Sequence, residues 1–436
     1  MKNRWLIALA GVLVMTSLGA IYSWSLFTQP LIASFGWSSM TVTWAFALAT
    51  FFLSIGAVVG GRWQDRAGPR IVTLTGVVLW GLGCVSAGLG TPRFGVWWLY
   101  LTYGVIGGFG VGMAYITPVA VVTKWFPDRR GLGGGLVLMG FGLGAFVYSL
   151  VVKSLPDFAA AALAAADYAV AVRLDPRAAM LAPQHVQAVM NVLIGSGIVF
   201  LVVGGACACL LRNPTSVPVV PASSSAAAPD AGQPSYTPRE MLRTPQFYLL
   251  WSMLFLNVTA GILVIANAVP IMQELTGLAP KTVAAAYGSV AMANAIGRFA
   301  WGAVSDRIGR KFAFLAIFGI QAAVFSVLGD KTSLGAVMLG YTVVLLCYGG
   351  GFGTMPSFNA DYFGTRHLGA NYGALLTAWG IAGLVGPLFA AHVKDVTGSF
   401  SGALPLVAIM LLGATALPML VTKPVPKVAA VAASPA

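Results

Sequence analysis

One arginine lies inside an apolar stretch that carries no other charge. Arg298 follows Tyr287 and Asn294 at helical spacing within residues 283–302. A cation in the hydrocarbon of a membrane costs roughly 3 kcal/mol on insertion scales, so such a residue normally faces a bundle interior or an aqueous cavity. No acidic residue of the stretch neutralises it. We therefore predict an anion-binding site at Arg298; the alternative is an arginine that extends to the membrane surface near Asp306.

The composition excludes an ordinary soluble protein. Of the 436 residues, 58% are hydrophobic and only 8% are charged, which is typical of a helical membrane protein. The net charge of +13 comes from basic residues spread over short loops. They form no patch that would indicate nucleic-acid binding, so we expect lipid and no nucleic acid as surroundings. The four cysteines lie in apolar segments without metal-ligand spacing, and we expect neither a metal nor a cofactor.

The apolar segments predict twelve transmembrane helices, each long enough to cross a bilayer. The first follows the basic N-terminus and is too long for the core of a signal peptide, so we expect it to be retained. A long Ala-rich segment at about 155–187 is predicted as an excursion outside the membrane between spans five and six. The predicted spans are residues 5–27, 41–61, 71–90, 96–123, 132–153, 189–211, 246–271, 282–303, 312–329, 333–357, 369–392 and 401–421.

The basic residues also predict the orientation. With both termini inside, 17 lysines and arginines fall on the cytoplasmic side and 7 on the outer side, and Arg298 completes the 25. The positive-inside rule therefore places both termini in the cytoplasm. Residues 212–245, rich in Pro, Ser and Ala, are predicted to link a first half, 1–211, to a second half, 246–436.

Matching sequences in the two halves indicate a duplicated six-helix unit. Residues 61–70 and 302–311 each contain Gly-x-x-x-Asp-Arg-x-Gly, 241 positions apart. The aspartates of these signature loops, Asp65 and Asp306, can accept hydrogen bonds from helix N-termini or arginines, which would hold one conformation shut. Topological charge alone would explain the arginines but not the repeated aspartates and glycines. The predicted gating residues are Asp65, Arg66, Arg70, Asp306, Arg307 and Arg310.

This doubled pattern in a twelve-span chain resembles the signature of the major facilitator superfamily. Within it, the chain is similar to the oxalate/formate antiporter and monocarboxylate transporter branch along nearly its whole length. The resemblance implies an all-α polytopic fold of two six-helix repeats and a secondary transporter rather than an enzyme. The stretches that carry it are residues 22–24, 65–70, 125–131, 241–247, 294–298 and 371–373.

The resemblance also implies a substrate site. In that branch the arginine of span eight binds the substrate carboxylate, which gives this role to Arg298, and the tyrosine and aromatic positions of spans four and one fall on Tyr115 and Tyr22. Asn294 shares the helical face of Arg298 and can hold its guanidinium or a substrate oxygen. The further residues expected to line the site are Trp379, Phe352, Phe141 and Tyr348.

Two departures from the branch narrow the expected substrate, and a third concerns proton coupling. Oxalate transporters carry a lysine in span eleven where this chain has Trp379, and tyrosines where it has Phe141 and Phe352. One cation among rings suits a monoanion with an apolar tail, such as lactate or pyruvate, better than a dianion. Animal monocarboxylate transporters carry an aspartate at the position of Asn294. We expect a monomeric proton-coupled transporter in a bacterial inner membrane, with carboxylate exchange as the alternative.

The sequence favours a transporter over a nucleotide-driven pump, a membrane enzyme and a membrane sensor. The sequence contains no Walker motif, no nucleophile or metal constellation in its spans and no soluble output domain. A duplicated bundle with one buried cation therefore favours secondary transport.

Overall fold

The computed structural model describes residues 3–175, 180–214, 235–279, 282–283, 286–287, 290, 292–399 and 402–424. Within these residues, eleven helices are long and apolar enough to cross a membrane. The predicted eighth span lies partly outside the described residues, and its described part is the helix Met292–Ile308. We number the twelve helices α1 (Arg4–Ser23), α2 (Ser39–Ala67), α3 (Pro69–Phe94), α4 (Val96–Trp125), α5 (Arg130–Lys153), α6 (Pro183–Leu210), α7 (Pro245–Ala266), α8 (Met292–Ile308), α9 (Arg310–Leu328), α10 (Leu334–Phe363), α11 (Leu368–Leu375, continued by Thr377–Thr397) and α12 (Ala403–Leu420).

The twelve-helix fold predicted from the sequence is confirmed, with longer helices than the apolar windows indicate. α2 has 29 residues and α10 has 30, whereas about 20 suffice to span the hydrocarbon. α2 and α8 also end later than predicted, at Ala67 and Ile308, so Asp65 and Asp306 lie in the last turns of these helices and not in the loops that follow. Continued helix keeps the backbone hydrogen bonds satisfied beyond the membrane, and hydropathy does not detect such turns because their side chains are polar.

The segment predicted as an excursion also contains a helix. Residues Pro156–Leu174 form it, and it begins with a proline in the first turn, a position where the missing amide proton costs nothing. Phe158 of this helix packs on Phe27, with ring centres 5.7 Å apart. Phe27 lies in Ser25–Phe35, the helix that continues α1. This helix therefore packs against the rest of the first half.

The two signature loops have the same backbone. Gly68 separates α2 from α3 with φ of 88°, and Gly309 separates α8 from α9 with φ of 87°. This region of φ is open to glycine and strained for other residues. Each loop is thus a single-glycine turn that fixes the aspartate on the preceding helix relative to the start of the next helix. We call the membrane face formed by residues 61–70 and 302–311 the signature face.

Glycines bring the two halves together beside this face. A Cβ on Gly302 of α8 would collide with the carbonyl group of Gly131 on α5, and a Cβ on Gly61 of α2 would collide with that of Gly369 on α11. Small residues at such positions let helix backbones approach closely, which is how helices associate within a membrane. The α5–α8 and α2–α11 contacts therefore form two matching seams between the halves.

We expect Gly302→Ala to reduce transport by about 5-fold or more, because a misfit at a tightly packed backbone contact typically costs about 1–3 kcal/mol. Transport by the reconstituted protein measures the effect. Gly319→Ala in α9 is the matched control, since an added Cβ there meets no atom within 4 Å. Equal transport by the two variants would show that the seam tolerates the methyl group.

The end of the segment that joins the halves is anchored on the second half. Residues 215–234, most of the predicted linker, lie outside the described residues. The Tyr236 amide donates to the Phe363 carbonyl over 2.9 Å, and the Asn371 side chain donates to the Tyr236 carbonyl over 3.0 Å. Thr237 and Glu240 then form a capping box, and hydrogen bonds from the Thr237 amide and hydroxyl lower the pKa of Glu240. This end of the linker therefore moves with α10 and α11.

Candidate functional site

Arg298 is completely buried in the interior of the bundle. It lies on α8, one helical turn after Asn294, and its Nε donates to the Asn294 side-chain oxygen over 3.3 Å. The terminal nitrogens Nη1 and Nη2 have no hydrogen-bond partner among the described residues. No carboxylate of the described residues forms an ion pair with it. The alternative of an arginine that extends to the membrane surface is therefore wrong for this conformation.

Two phenylalanine rings pack against the guanidinium group of Arg298. Its carbon Cζ lies 4.7 Å from the ring centre of Phe352 on α10 and 5.5 Å from that of Phe141 on α5. A cation over an aromatic face is stabilised by about 0.5–2 kcal/mol, more when water is excluded. That is less than the cost of burying an unpaired charge. The rings orient Arg298 and leave its terminal nitrogens for a further partner.

Trp379 lies at the centre of the ring cluster. Its ring centre is 5.1 Å from that of Phe352, 5.5 Å from Tyr115, 5.9 Å from Phe141 and 6.1 Å from Tyr22. It follows the interruption of α11 at Leu376 by less than one turn. The predicted substrate residues of α1, α4, α5, α10 and α11 thus meet in one place, with apolar ring surface where a second cation would be needed for a dianion.

Tyrosine hydroxyls supply the polar part of this cluster. Tyr22, Tyr115, Tyr348 and Tyr372 are all close enough to interact electrostatically with Arg298. The hydroxyls of Tyr22, Tyr115 and Tyr372 are buried, and none forms a hydrogen bond of normal length and angle within the described residues. Burying a polar group in this way costs about 1–3 kcal/mol. Unused donors therefore surround the unused guanidinium nitrogens, which suits a small oxyanion.

The signature aspartate of the second half caps a helix of the first half. Asp306 accepts hydrogen bonds from the Gly131 and Leu132 amides, both 2.8 Å long, at the start of α5. Arg310 binds the same carboxylate at 2.7 Å and also Asp361 at 2.9 Å. Arg130 of α5 binds Asp361 at 3.0 Å. The N-terminus of a helix favours a carboxylate because its amides are unpaired and its dipole end is positive.

The signature aspartate of the first half does the same for the second. Asp65 accepts hydrogen bonds from the Gly369 and Ala370 amides, 3.3 and 2.8 Å long, at the start of α11. Lys124 is the nearby cation, 3.9 Å away. Each half therefore supplies one carboxylate and one helix start, and the signature face is closed by both pairs. We call these two pairs, with Arg310, Arg130 and Asp361, the latch.

Not every predicted gating residue reaches the latch. Arg66 and Arg307 are exposed, and their side chains have no ion pair or hydrogen bond within the described part of the chain. Arg70 donates to the carbonyl of Leu211 over 3.3 Å, within its own half. Conversely, the sequence reasoning missed Asp361 of the latch and Tyr372 of the cluster around Arg298. Tyr372 stood within a stretch noted only for its family resemblance, and nothing in the sequence distinguished Asp361 from other loop charges.

We expect Asp306→Asn to open the signature face, because a neutral amide accepts less strongly from the α5 amides and loses Arg310. Hydrogen bonds to charged groups contribute about 1.5–3 kcal/mol, so the open fraction should rise by about 10-fold or more. The measurement is maleimide labelling of Ser357→Cys, a buried position beside Gly134 between the halves, with the four native cysteines replaced. Arg307→Gln is the matched control, and equal labelling of both variants would exclude a closing role for Asp306.

Comparisons with known proteins agree with this architecture. The oxalate:formate antiporter of Oxalobacter formigenes is 29% identical over 88% of this chain and 83% of its own. Monocarboxylate transporter 13 of Bos taurus is 25% identical over 93% and 85%, and apicoplast pyruvate carrier 1 of Toxoplasma gondii is 25% identical over 76% and 65%. Among solved structures, the fucose:proton symporter of Escherichia coli matches with a TM-score of 0.70 at 16% identity, over 95% of this chain and 97% of that one.

A family model covers most of the sequence. The model of the Major Facilitator Superfamily matches residues 7–387 and, in a second match, 250–435. The twelve helices and their two matching seams are the architecture that this match requires. The chain therefore belongs to the Major Facilitator Superfamily, and it is a multi-pass membrane transporter and not an enzyme.

Proposed function

We propose that this chain carries small monocarboxylates, such as lactate or pyruvate, across the membrane by alternating access. The observation that carries the proposal is Arg298, fully buried with both terminal nitrogens unpartnered inside a cluster of aromatic rings. A buried charge of this kind needs a counter-charge, and a carboxylate can take both nitrogens in a bidentate contact. The names of the similar antiporter and carriers, which mention oxalate, formate, monocarboxylate and pyruvate, support the same class.

The ring cluster favours one carboxylate over two. Arg298 can neutralise a single negative charge, and the site offers Trp379, Phe352 and Phe141 to the remainder of the substrate. A second carboxylate against these rings would be buried without a partner, which is costly. A methyl group would gain contact surface there, at about 0.8 kcal/mol for each buried carbon. The hydroxyls of Tyr22 and Tyr115 can bind the 2-hydroxy or 2-oxo oxygen.

Alternating access would require the two halves to move against each other at the two seams. In this conformation the latch joins the halves at the signature face, which the distribution of basic residues predicts to be cytoplasmic. We propose that substrate enters from the opposite side, binds Arg298 and lets the halves rock until the latch parts and the substrate leaves to the cytoplasm. Asp65 and Asp306 would be released together, since each binds the other half.

The coupling has two candidates. Proton symport is the first. In that case the substrate carboxylate itself is the group whose charge changes when the proton binds. Exchange is the second, and one observation favours it: no carboxylate among the described residues pairs with Arg298. An empty site would then bury an uncompensated cation each time the halves close around it. Such a carrier moves readily when loaded and slowly when empty, which is the behaviour of an exchanger.

Uptake of radiolabelled L-lactate into proteoliposomes tests the proposal. An inward proton gradient that drives accumulation into empty vesicles supports symport. Uptake that ignores the gradient but rises with trapped unlabelled lactate or formate supports exchange. The control is the same preparation carrying Arg298→Gln. Absence of uptake in both conditions, from protein that remains folded, would contradict monocarboxylate transport.

A further inference from the structure

A second group of cations lies apart from the substrate site, at the signature face. A cavity of about 230 Å³ opens there between the two halves. Lys124 at the end of α4 and Arg130 at the start of α5 line it from the first half, and Arg366, just after α10, lines it from the second. Asn213, which follows α6, adds an amide. The volume is below the 300–1,000 Å³ usual for sites of drug-sized ligands, so it suits a small ion.

Donors in this cavity are left unused by the protein. The Lys124 side chain makes no hydrogen bond to the described residues, and its nearest carboxylate, Asp65, is 3.9 Å away, beyond hydrogen-bond distance. Arg366 has neither an ion pair nor a side-chain hydrogen bond within the described ranges. An ammonium group offers three donors and a guanidinium five. Cations around a cavity with unused donors are the arrangement that binds an oxyanion.

The charged side chains around this cavity have a net positive charge. The carboxylates that face this group are Asp65, beside Lys124, and Asp361, bound to Arg130 and Arg310. Asp65 already accepts two amides of α11. Three cations, Lys124, Arg130 and Arg366, therefore line the cavity beside two carboxylates, one of which also binds Arg310. Arg366 is the cation that these carboxylates do not bind.

We propose that this cavity is a regulatory site for a phosphate-type oxyanion, either free inorganic phosphate or the phosphate of a lipid headgroup. Lys124 and Arg366 belong to different halves, so an oxyanion can touch both only while the signature face is closed. A ligand that binds one of two states shifts the equilibrium toward that state. At ten times its dissociation constant, phosphate would reduce the open fraction by about 11-fold. The proposal depends on the alternation described above but not on the identity of the transported substrate.

The test is maleimide labelling of Ser357→Cys in the full-length, cysteine-replaced protein, with inorganic phosphate added at constant ionic strength. Phosphate is expected to slow labelling at least 5-fold. Arg366→Gln should lose most of this protection and Arg366→Lys should retain part of it. Arg243→Gln is the matched control, because it removes an exposed charge near α7 that does not line the cavity.

Two further arms identify the source of the anion and exclude the substrate site. Slower labelling in nanodiscs of phosphatidylglycerol than of phosphatidylcholine, abolished by Arg366→Gln, would assign the site to a lipid headgroup. Protection by free phosphate in phosphatidylcholine would assign it to the soluble ion. Protection should persist in Arg298→Gln, whether or not the wild type transports lactate. Protection lost with Arg298 but kept in Arg366→Gln, or no protection by either source, would overturn the proposal.

Discussion

Replacing Arg298 with glutamine is expected to abolish L-lactate transport while the protein remains folded. Glutamine keeps a polar side chain beside Asn294 but offers no positive charge to the substrate carboxylate. Two charge-assisted hydrogen bonds at about 1.5 kcal/mol or more each correspond to a loss of at least about 100-fold in substrate affinity. Uptake into proteoliposomes measures the loss. Transport by Arg298→Gln at wild-type rates would remove this residue from the substrate site.

The stability of the same variant should change in the opposite direction. Arg298 is fully buried, and its terminal nitrogens are unpartnered within the described residues, so the folded protein bears part of the cost of desolvating a charge. Arg298→Gln is therefore expected to melt at a higher temperature than the wild type without substrate. Added L-lactate should raise the melting temperature of the wild type only. Arg298→Lys separates charge from geometry, because an ammonium group cannot reproduce the planar fork.

Trp379→Lys is expected to shift the preference of the proposed carrier from monocarboxylates to dicarboxylates. The ring of Trp379 fills the space beside Phe352, Tyr115 and Phe141, and oxalate transporters of the resembling branch carry lysine at this position. A lysine there would supply a second cation for the distal carboxylate and remove ring surface from the apolar tail. We expect oxalate uptake to rise about 10-fold over background and lactate uptake to fall by a similar factor.

Competition between oxalate and lactate for uptake measures this change in one preparation. Trp379→Phe is the matched control: it keeps an aromatic ring and should keep the preference for lactate with some loss of affinity. Phe141→Tyr adds a hydroxyl beside Tyr22 and Tyr115 without a charge. Oxalate uptake equal in Trp379→Lys and Trp379→Phe would show that the lost ring volume, and not the added charge, admits the dianion.

Hydropathy and the repeated motif were sufficient to predict the twelve helices, the two halves and the isolated cation Arg298. Each of these follows from local sequence: the hydropathy of one window, a repeated motif or a single charged residue. The extra turns of α2 and α8 could not be predicted in this way, because polar turns beyond the membrane resemble loops. Asp65 and Asp306 consequently lie on helices, where the last turn presents each carboxylate to the opposite half.

The arrangement around Arg298 depended on tertiary contacts that no single segment encodes. The resemblance to a family indicated Tyr22, Tyr115 and Trp379 as site residues, but the ring contacts among them join three distant parts of the chain. Tyr372 was missed because it lies near Tyr115 only in the folded protein, where the two halves meet. Asp361 was missed because its partners are distant in sequence: Arg130 lies on α5 of the other half and Arg310 on α9 of its own half.

The crossed aspartates have a consequence for how such a molecule can be assembled. Asp306 binds the start of α5 and Asp65 binds the start of α11, so the contact between the halves is isologous, like that of a two-fold dimer in which the same patch appears on both subunits. A six-helix polypeptide bearing one aspartate and one helix start would satisfy both when paired with a second copy of itself. The fused chain retains the interface of a homodimer, and its two halves made as separate polypeptides would carry complementary docking surfaces.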